Sequence, residues 1–388
     1  MKSLAVYVHI PFCTVKCGYC DFNAYAGMDA LKPRYRDALL AEIDSYAPLL
    51  AVRQLTSIHF GGGTPGEVPP SHIRAVIERL SRYAPIASGA EIGLEANPGT
   101  VSYNDLVLLR AAGVNRLSLG AQSFHSDELR FLERIHSPEA TAATVRNARL
   151  AGFPSLSLDL IYGLPGQTME RWESSLQAAL ALAPDHLSCY ALTVEEGTLL
   201  GRQVAEGTVV PVDPDLAADM YERATDLLAT ARFRQYELSN WARPSHESRH
   251  NQVYWRDGDY LGLGTGAHGY VDGQRYENIA QPRSYIASLE KPGKTAVNHA
   301  YRPDRATAMS DWLALRLRLV EGLAPEDFTA TFGLPLTDVV GQPMRECNEA
   351  GLLEQASGRI CLSRRGRLLH SEVAVRLLMH LQSSVAAV

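Results

Sequence analysis

Over its first 240 residues the chain sets six short apolar, β-rich runs between amphipathic stretches, and few folds accept that rhythm. The runs are Leu4–Ile10, Leu55–Phe60, Glu91–Ala96, Arg116–Ala121, Ser155–Ile161 and Leu187–Thr193. Each reads as apolar almost throughout, the pattern of a parallel strand covered on both faces. Helical patterns fill the gaps, as at Leu31–Leu50, Ser71–Tyr83 and Met169–Leu182. Six β–α units in series imply right-handed crossovers and a parallel sheet. They are too few for the full eight-stranded barrel, so the expectation is an α/β fold built on an open, partial (β/α)6 barrel. In such barrels the chemistry collects at the C-terminal ends of the strands. The unusual residues of this sequence sit at those ends.

Beyond residue 240 the rhythm changes. Residues 241–300 are rich in Gly, Tyr, Asn and Pro and read as irregular covering structure. From about Pro303 a helical pattern returns (Ala306–Val320), with shorter helices around Glu326–Phe332 and Leu336–Glu349. Leu352–Leu362, split by Ser357-Gly358, reads as a hairpin, and a last helix runs to about Leu381. The expected organisation is therefore 1–240, 241–300 and 301–388, the last a winged-helix-like α+β module. Such modules often bind DNA, but Arg302 to Val388 carries ten Arg and no Lys against ten acidic residues. No basic face stands out, which favours a structural or partner-docking role. The formal charge of -6 gives no footprint for nucleic acid or an anionic membrane. No apolar run is long enough to span a bilayer. The start, MKSLAVYVHIPF, leaves no room for a cleavable signal, so the expected compartment is the cytoplasm.

Three of the six cysteines crowd into eight residues, Cys13, Cys17 and Cys20, just after the first strand. That distribution fits a metal site in a reducing compartment better than a disulfide framework. Thiolates are the ligands of iron–sulfur clusters, and one loop of this spacing can wrap a cubane. A 4Fe–4S cubane has four irons, so one is left for an exogenous ligand unless a distant cysteine reaches it. Cys189 lies mid-strand and reads as a small buried hydrophobe. Cys347 and Cys361 lack a CxxC partner. A structural zinc needs a complete set of four protein ligands, and no second pair is present.

Other strand ends carry polar or glycine-rich signals. Gly61-Gly62-Gly63-Thr64-Pro65 follows the second run; glycines there permit a tight turn or the close approach of a ligand. Glu95 ends the third run and Gln122 the fourth. Asp159 lies inside SLSLDLIYGLP, where a lone carboxylate is costly unless paired or bonded. Gly264-x-Gly266-x-x-Gly269 matches the dinucleotide fingerprint by letters alone. No helix is expected after it, and that reading is set aside.

These segments together resemble the radical SAM superfamily, whose signature is this triple-cysteine spacing, and more narrowly its coproporphyrinogen dehydrogenase branch. The resemblance spans essentially the whole chain, through YVHIPFCTVKCGYC, HFGGGTP, LEANPG, LSLGAQSF, LDLIYGLPGQT and the C-terminal module. It implies a 4Fe–4S cluster on Cys13, Cys17 and Cys20, with S-adenosylmethionine (SAM) chelating the open iron. It further implies that Gly62, Gly63 and Thr64 serve the SAM amino group and that Arg134 pairs with its carboxylate. Gln122 and Asp159 are implied to bind the ribose. Tyr7, Tyr19 and Glu95 complete the expected SAM contacts.

Within the branch, three departures separate this chain from the dehydrogenases. Phe22 stands where they carry a fourth cysteine. Only six residues precede Tyr7, where they have a long covering segment. In His250-Asn251-Gln252-Val253-Tyr254-Trp255 a histidine replaces their arginine. All three features are similar to heme chaperones sharing the same fold, which are implied to bind heme and hand it to acceptor hemoproteins. A neutral imidazole is a common axial ligand of heme iron, and aromatic neighbours can cover a macrocycle. His250 is thus the expected heme contact, in a segment expected to cover the barrel mouth, with His59 and His268 next in line. The bland reading of His250 is a hydrogen-bonded loop histidine. The competing function is oxygen-independent oxidative decarboxylation of coproporphyrinogen.

Overall fold

The computed structural model describes residues 1–291 and 293–385. Residue 292 and the end of the tail, 386–388, lie outside the described residues. The chain divides into two compact units, the larger comprising 1–234, 241–250 and 259–300, the smaller 235–240, 251–258 and 301–388.

In the larger unit, β1 (Lys2–Ile10), β2 (Arg53–Gly62), β3 (Ile86–Ala96), β4 (Arg116–Gln122), β5 (Ser155–Tyr162) and β6 (His186–Ala191) lie side by side in chain order. Each neighbouring pair is parallel. This is the expected open (β/α)6 arrangement. The strands are not apolar on both faces, however. One face carries Leu4, Val6, Val8, Ile58, Phe60, Leu94, Leu117, Leu119, Leu156, Leu158 and Leu187, all buried in one core with the surrounding helices. Each such Leu contributes about 1.5–3 kcal/mol on burial. The inner face carries Tyr7, Ser57, His59, Glu91, Glu95, Arg116, Ser118, Ser157, Asp159, His186 and Ser188. These residues bond to one another across the strands or to the segment beneath them. Asp159 is one of an alternating series, Ser155, Ser157, Asp159, and not a single intrusion.

The N-terminal end of this polar interior is closed by residues 246–250. Glu91 accepts from Ser248 Oγ at 3.3 Å and from the backbone N–H groups of Arg249 and His250, both at 3.1 Å. Arg116 donates to the His246 carbonyl at 2.9 Å and lies 3.9 Å from Glu91.

Residues 241–300 differ from the irregular cover expected. Tyr260–Leu263 adds a parallel strand beside β1, and His268–Val271, Gln274–Asn278 and Val297–Tyr301 extend that edge in order. Strands of four or five residues are too short to show a period, and their glycines read as loop. Buried Arg53 ties this edge to the start of β2 through Asp259 at 2.8 Å and Asp272 at 2.5 Å.

In the smaller unit, helices Arg305–Arg316, Pro325–Phe332 and Leu336–Glu349 precede the hairpin Leu353–Ala356/Arg359–Leu362 and the helix His370–Val385. The hairpin turns on Ser357 (φ 52°) and Gly358 (φ 76°), two left-handed residues that match the strand twist. Met309, Trp312, Leu313, Phe328, Val340, Val373 and Leu377 form its core. Among the described residues no helix is long and apolar enough to cross a membrane.

Candidate functional site

The cysteine loop leaves β1 at Ile10 and is held at its entry by backbone. Gly63 N donates to Ile10 O and Thr64 N to Phe12 O, both at 2.8 Å. Gly62 and Gly63 are glycines because the loop sits on them. A Cβ on Gly62 (φ +113°) would lie 2.5 Å from the His9 ring, and one on Gly63 would lie 2.7 Å from Phe12 O. At these two positions close packing accounts for the residue type, whatever a ligand adds. His9 Nε2 meets the Asn23 carbonyl at 2.9 Å, so it carries the proton, and Nδ1 accepts from Tyr7 OH at 3.1 Å. Burial holds His9 below the usual imidazole range, consistent with that neutral form.

All six cysteines are free; Cys13, Cys17 and Cys20 are partly exposed, whereas Cys189, Cys347 and Cys361 are buried. Cys189 faces the outer core, as its strand position implies. Thr64 Oγ1 lies 3.3 Å from Cys13 Sγ, and Arg134 donates to Cys17 Sγ at 3.7 Å. Burial pushes the Cys13 thiol up to about 11 and raises Cys20; ligation to a metal would ionise both. Cys13, Cys17 and Cys20 lie close enough to feel one another's charge, as three thiolate ligands of one cubane, each on a different iron, would. The donor set fits the cluster.

Around this loop the strand ends assemble the expected SAM residues. Arg134 donates to Gly120 O at 2.9 Å and to Asn97 Oδ1, linking β4, the turn after β3 and the cysteine loop. Asn97, which the sequence reading missed, also donates to Thr64 Oγ1 at 3.1 Å. Tyr19 lies beside Arg134, and burial raises its phenol well above its usual value. Tyr7 is raised by burial and by the Glu95 charge. Glu95 is 43% exposed at the open end and accepts from His59 Nε2 at 3.0 Å. Gln122 holds a left-handed φ of 61° at the end of β4, an uncommon conformation for a residue with a side chain.

Asp159 lies deep in the interior yet keeps accessible surface, as a group lining an open space does. Ser188 donates to it at 2.7 Å, Ser118 at 2.9 and 3.0 Å, and Ser157 at 3.3 Å. Burial raises its carboxyl, and the serine bonds oppose that rise.

His250 is placed inside the barrel, not at the mouth. It is 1% exposed, with Nδ1 2.9 Å from Ser57 Oγ at the closed end of the interior. The backbone of Arg249 and His250 lies at the opposite end from the expected mouth position, because Glu91 anchors it there. His59 lies within the interior, and His268 is exposed on the edge strand.

Two family domains match the chain, the radical SAM superfamily over residues 7–179 and the HemN C-terminal domain over 304–369. A Mycobacterium tuberculosis protein named heme chaperone HemW is 38% identical over 386 residues, 97% of this chain and 95% of that protein. An Escherichia coli protein of the same name is 36% identical, covering 95% of this chain and 96% of its own length. Among solved structures, coproporphyrinogen III oxidase (HemN) from E. coli, described as a radical SAM enzyme, superposes with a TM-score of 0.84. The two are 26% identical over 97% of this chain and 90% of that one. The chain belongs to the radical SAM superfamily, in the branch that contains the HemW heme chaperones.

Proposed function

We propose that this chain is a heme carrier that takes up heme and passes it to acceptor hemoproteins, with a 4Fe–4S cluster and SAM bound at the barrel mouth. The support that carries the reading is its likeness, along the whole chain, to proteins named as heme chaperones. Phe22 adds to it: where the dehydrogenases carry a fourth cysteine, this chain exposes 64% of a phenylalanine. When bound, the cluster supplies one-electron redox chemistry with one iron open to SAM.

The chain's own groups divide the work of holding SAM. Arg134, oriented by Asn97 and Gly120, offers a cation to a carboxylate. Asp159, fixed by three serines, and Gln122 offer hydrogen bonds to ribose hydroxyls. Heme is assigned to the His250–Trp255 segment, with His250 as ligand or close contact. In the conformation described its imidazole is enclosed, so ligation requires the first turn of that segment to open.

The second reading, oxidative decarboxylation of coproporphyrinogen, is favoured by the extent of the structural likeness to coproporphyrinogen III oxidase. Loading the reconstituted protein with heme and mixing it with apomyoglobin separates the two. A carrier forms holomyoglobin at a rate above that of free heme release from albumin, and the absence of stoichiometric heme uptake overturns the proposal.

A further inference from the structure

The turn Gly264-Thr265-Gly266-Ala267 resembles a nucleotide loop only by letters, and its contacts point elsewhere. Asn23, three residues past Cys20, donates from Nδ2 to Thr265 O at 3.2 Å and to Ala280 O at 3.1 Å. Tyr25 OH donates to Asn23 Oδ1 at 2.9 Å and to Ala280 O at 3.1 Å. The carbonyl of Asn23 accepts from His9 Nε2 at 2.9 Å. The exit of the cysteine loop is therefore gripped from β1 on one side and from this turn on the other.

Beneath the turn lies a buried carboxylate. Glu42, on the helix Lys32–Ser45, is 1% exposed. Its Oε2 accepts from Gly264 N at 2.8 Å and Tyr285 OH at 2.6 Å, and its Oε1 from Asn278 Nδ2 at 2.6 Å. Asn278 Nδ2 also donates to Gly264 O at 2.9 Å. Tyr35 OH joins the two halves, donating to His9 O at 2.7 Å and accepting from Thr265 N at 3.0 Å. The fit is close enough to dictate sequence. A Cβ on Gly264 (φ +96°) would lie 2.5 Å from Tyr35 Oη, and one on Gly266 (φ +64°) 2.3 Å from Asn23 Nδ2.

A buried carboxylate is costly unless every lone pair is used, and an apolar residue would fill the space more cheaply. A network of this kind specifies one position where apolar packing tolerates several. We infer that the 264–267 turn is a clasp that fixes the cysteine loop, with Glu42 and Asn23 as positioning residues for the cluster. The inference rests on the cluster assignment, which the iron and sulfide content of the wild-type protein checks separately. Cys20 is the ligand nearest the clasp, so slack at Asn23 passes first to its sulfur. A glutamine cannot replace Glu42, because it offers one acceptor oxygen where the site presents donors to two.

The test uses full-length reconstituted Asn23→Ala and Glu42→Gln beside a control, Asp272→Asn. The control loosens the far end of the same edge strands, where Asp272 meets Arg53 and Lys2. The clasp variants should keep the wild-type circular dichroism and initial iron content. Their reduced-cluster EPR g-values should shift, and the cluster should be lost in air severalfold faster. Asp272→Asn should lower the melting temperature while leaving the EPR spectrum and cluster lifetime as in wild type. Wild-type g-values and lifetime in Asn23→Ala would overturn the clasp, whether or not Glu42→Gln folds. Equal changes in Asp272→Asn would also overturn it, by reducing the effect to general loosening.

Discussion

The imidazoles of His59 and His250 stack inside the barrel, with ring centroids 5.0 Å apart and planes 20° from parallel. Through Nε2 the first reaches Glu95 at the open end, while the second meets Ser57 at the closed end, where Glu91 holds the His250 backbone. Tyr7 lies over the His59 ring at 6.3 Å. Polar and aromatic groups thus run through the barrel from one end to the other. Burial holds His250 well below the usual imidazole range, so it is neutral at physiological pH.

A neutral imidazole is the form that binds heme iron, but this one must first leave its partners. His250→Ala should weaken heme binding and shift the Soret band while leaving cluster absorbance intact. Ser57→Ala removes one hydrogen bond holding the ring inside, a net of about 1 kcal/mol, and should therefore strengthen heme binding roughly fivefold. Heme titrations read both. A wild-type Soret position and affinity in His250→Ala would remove the histidine from the site.

The cluster assignment separates the cysteines by accessibility. Replacing Cys13, Cys17 or Cys20 with Ala should abolish cluster absorbance after anaerobic reconstitution. Cys189→Ala, Cys347→Ala and Cys361→Ala should retain it, since all three side chains are buried. Loss of the cluster in Cys189→Ala would mean four-cysteine ligation and no open iron.

For SAM, Arg134→Ala and Asp159→Ala should each cost about 1.5–3 kcal/mol of binding, or roughly tenfold to a hundredfold in affinity. Arg134 also touches Cys17, so its variant should perturb the cluster spectrum slightly, whereas Asp159→Ala should not. Calorimetric titration of the reconstituted proteins measures both, and unchanged affinity in each would contradict the assignment.

Stability should depend on pH through the buried interior. His186 and His250 are held well below the usual imidazole range by burial. Below about pH 6.5 the unfolded chain therefore takes up protons that the folded chain refuses, and stability falls with acidification. Glu42 acts in the opposite sense. Burial raises its carboxyl to about 7 from 4.5, so across that window its contribution falls as pH rises. Replacing His186 with Gln should flatten the acid side of the stability curve by one proton, about 1.4 kcal/mol per pH unit between pH 5 and 6. Glu42→Gln should steepen it. Urea titrations at several pH values check the two slopes.

The parallel strands were legible because Leu recurs through Leu117–Leu119 and Leu156–Leu160, but their inner face was not. Ser157, Asp159 and Ser188 declare a polar lumen only when the strands lie side by side. The cysteine loop was legible because its ligands are neighbours in the chain. Arg134 carries no local signal and is pointed to by the resemblance alone, and nothing in LEANPG marks Asn97 as its partner. The edge strands between 260 and 278 resemble loop in sequence, since their glycines mark close packing as readily as turns. His250 was found by its motif, but no sequence signal told which end of the barrel it occupies. That is fixed by Glu91, more than 150 residues earlier.

Heme carriage in place of decarboxylation is tested most directly by one anaerobic experiment on the reconstituted protein. Aliquots with SAM and reductant receive either coproporphyrinogen III or heme, with product analysis and Soret titration run in parallel. The account predicts saturable, stoichiometric heme binding and no protoporphyrinogen. Protoporphyrinogen formed at the rate of a true dehydrogenase, with no saturable heme binding, would contradict it.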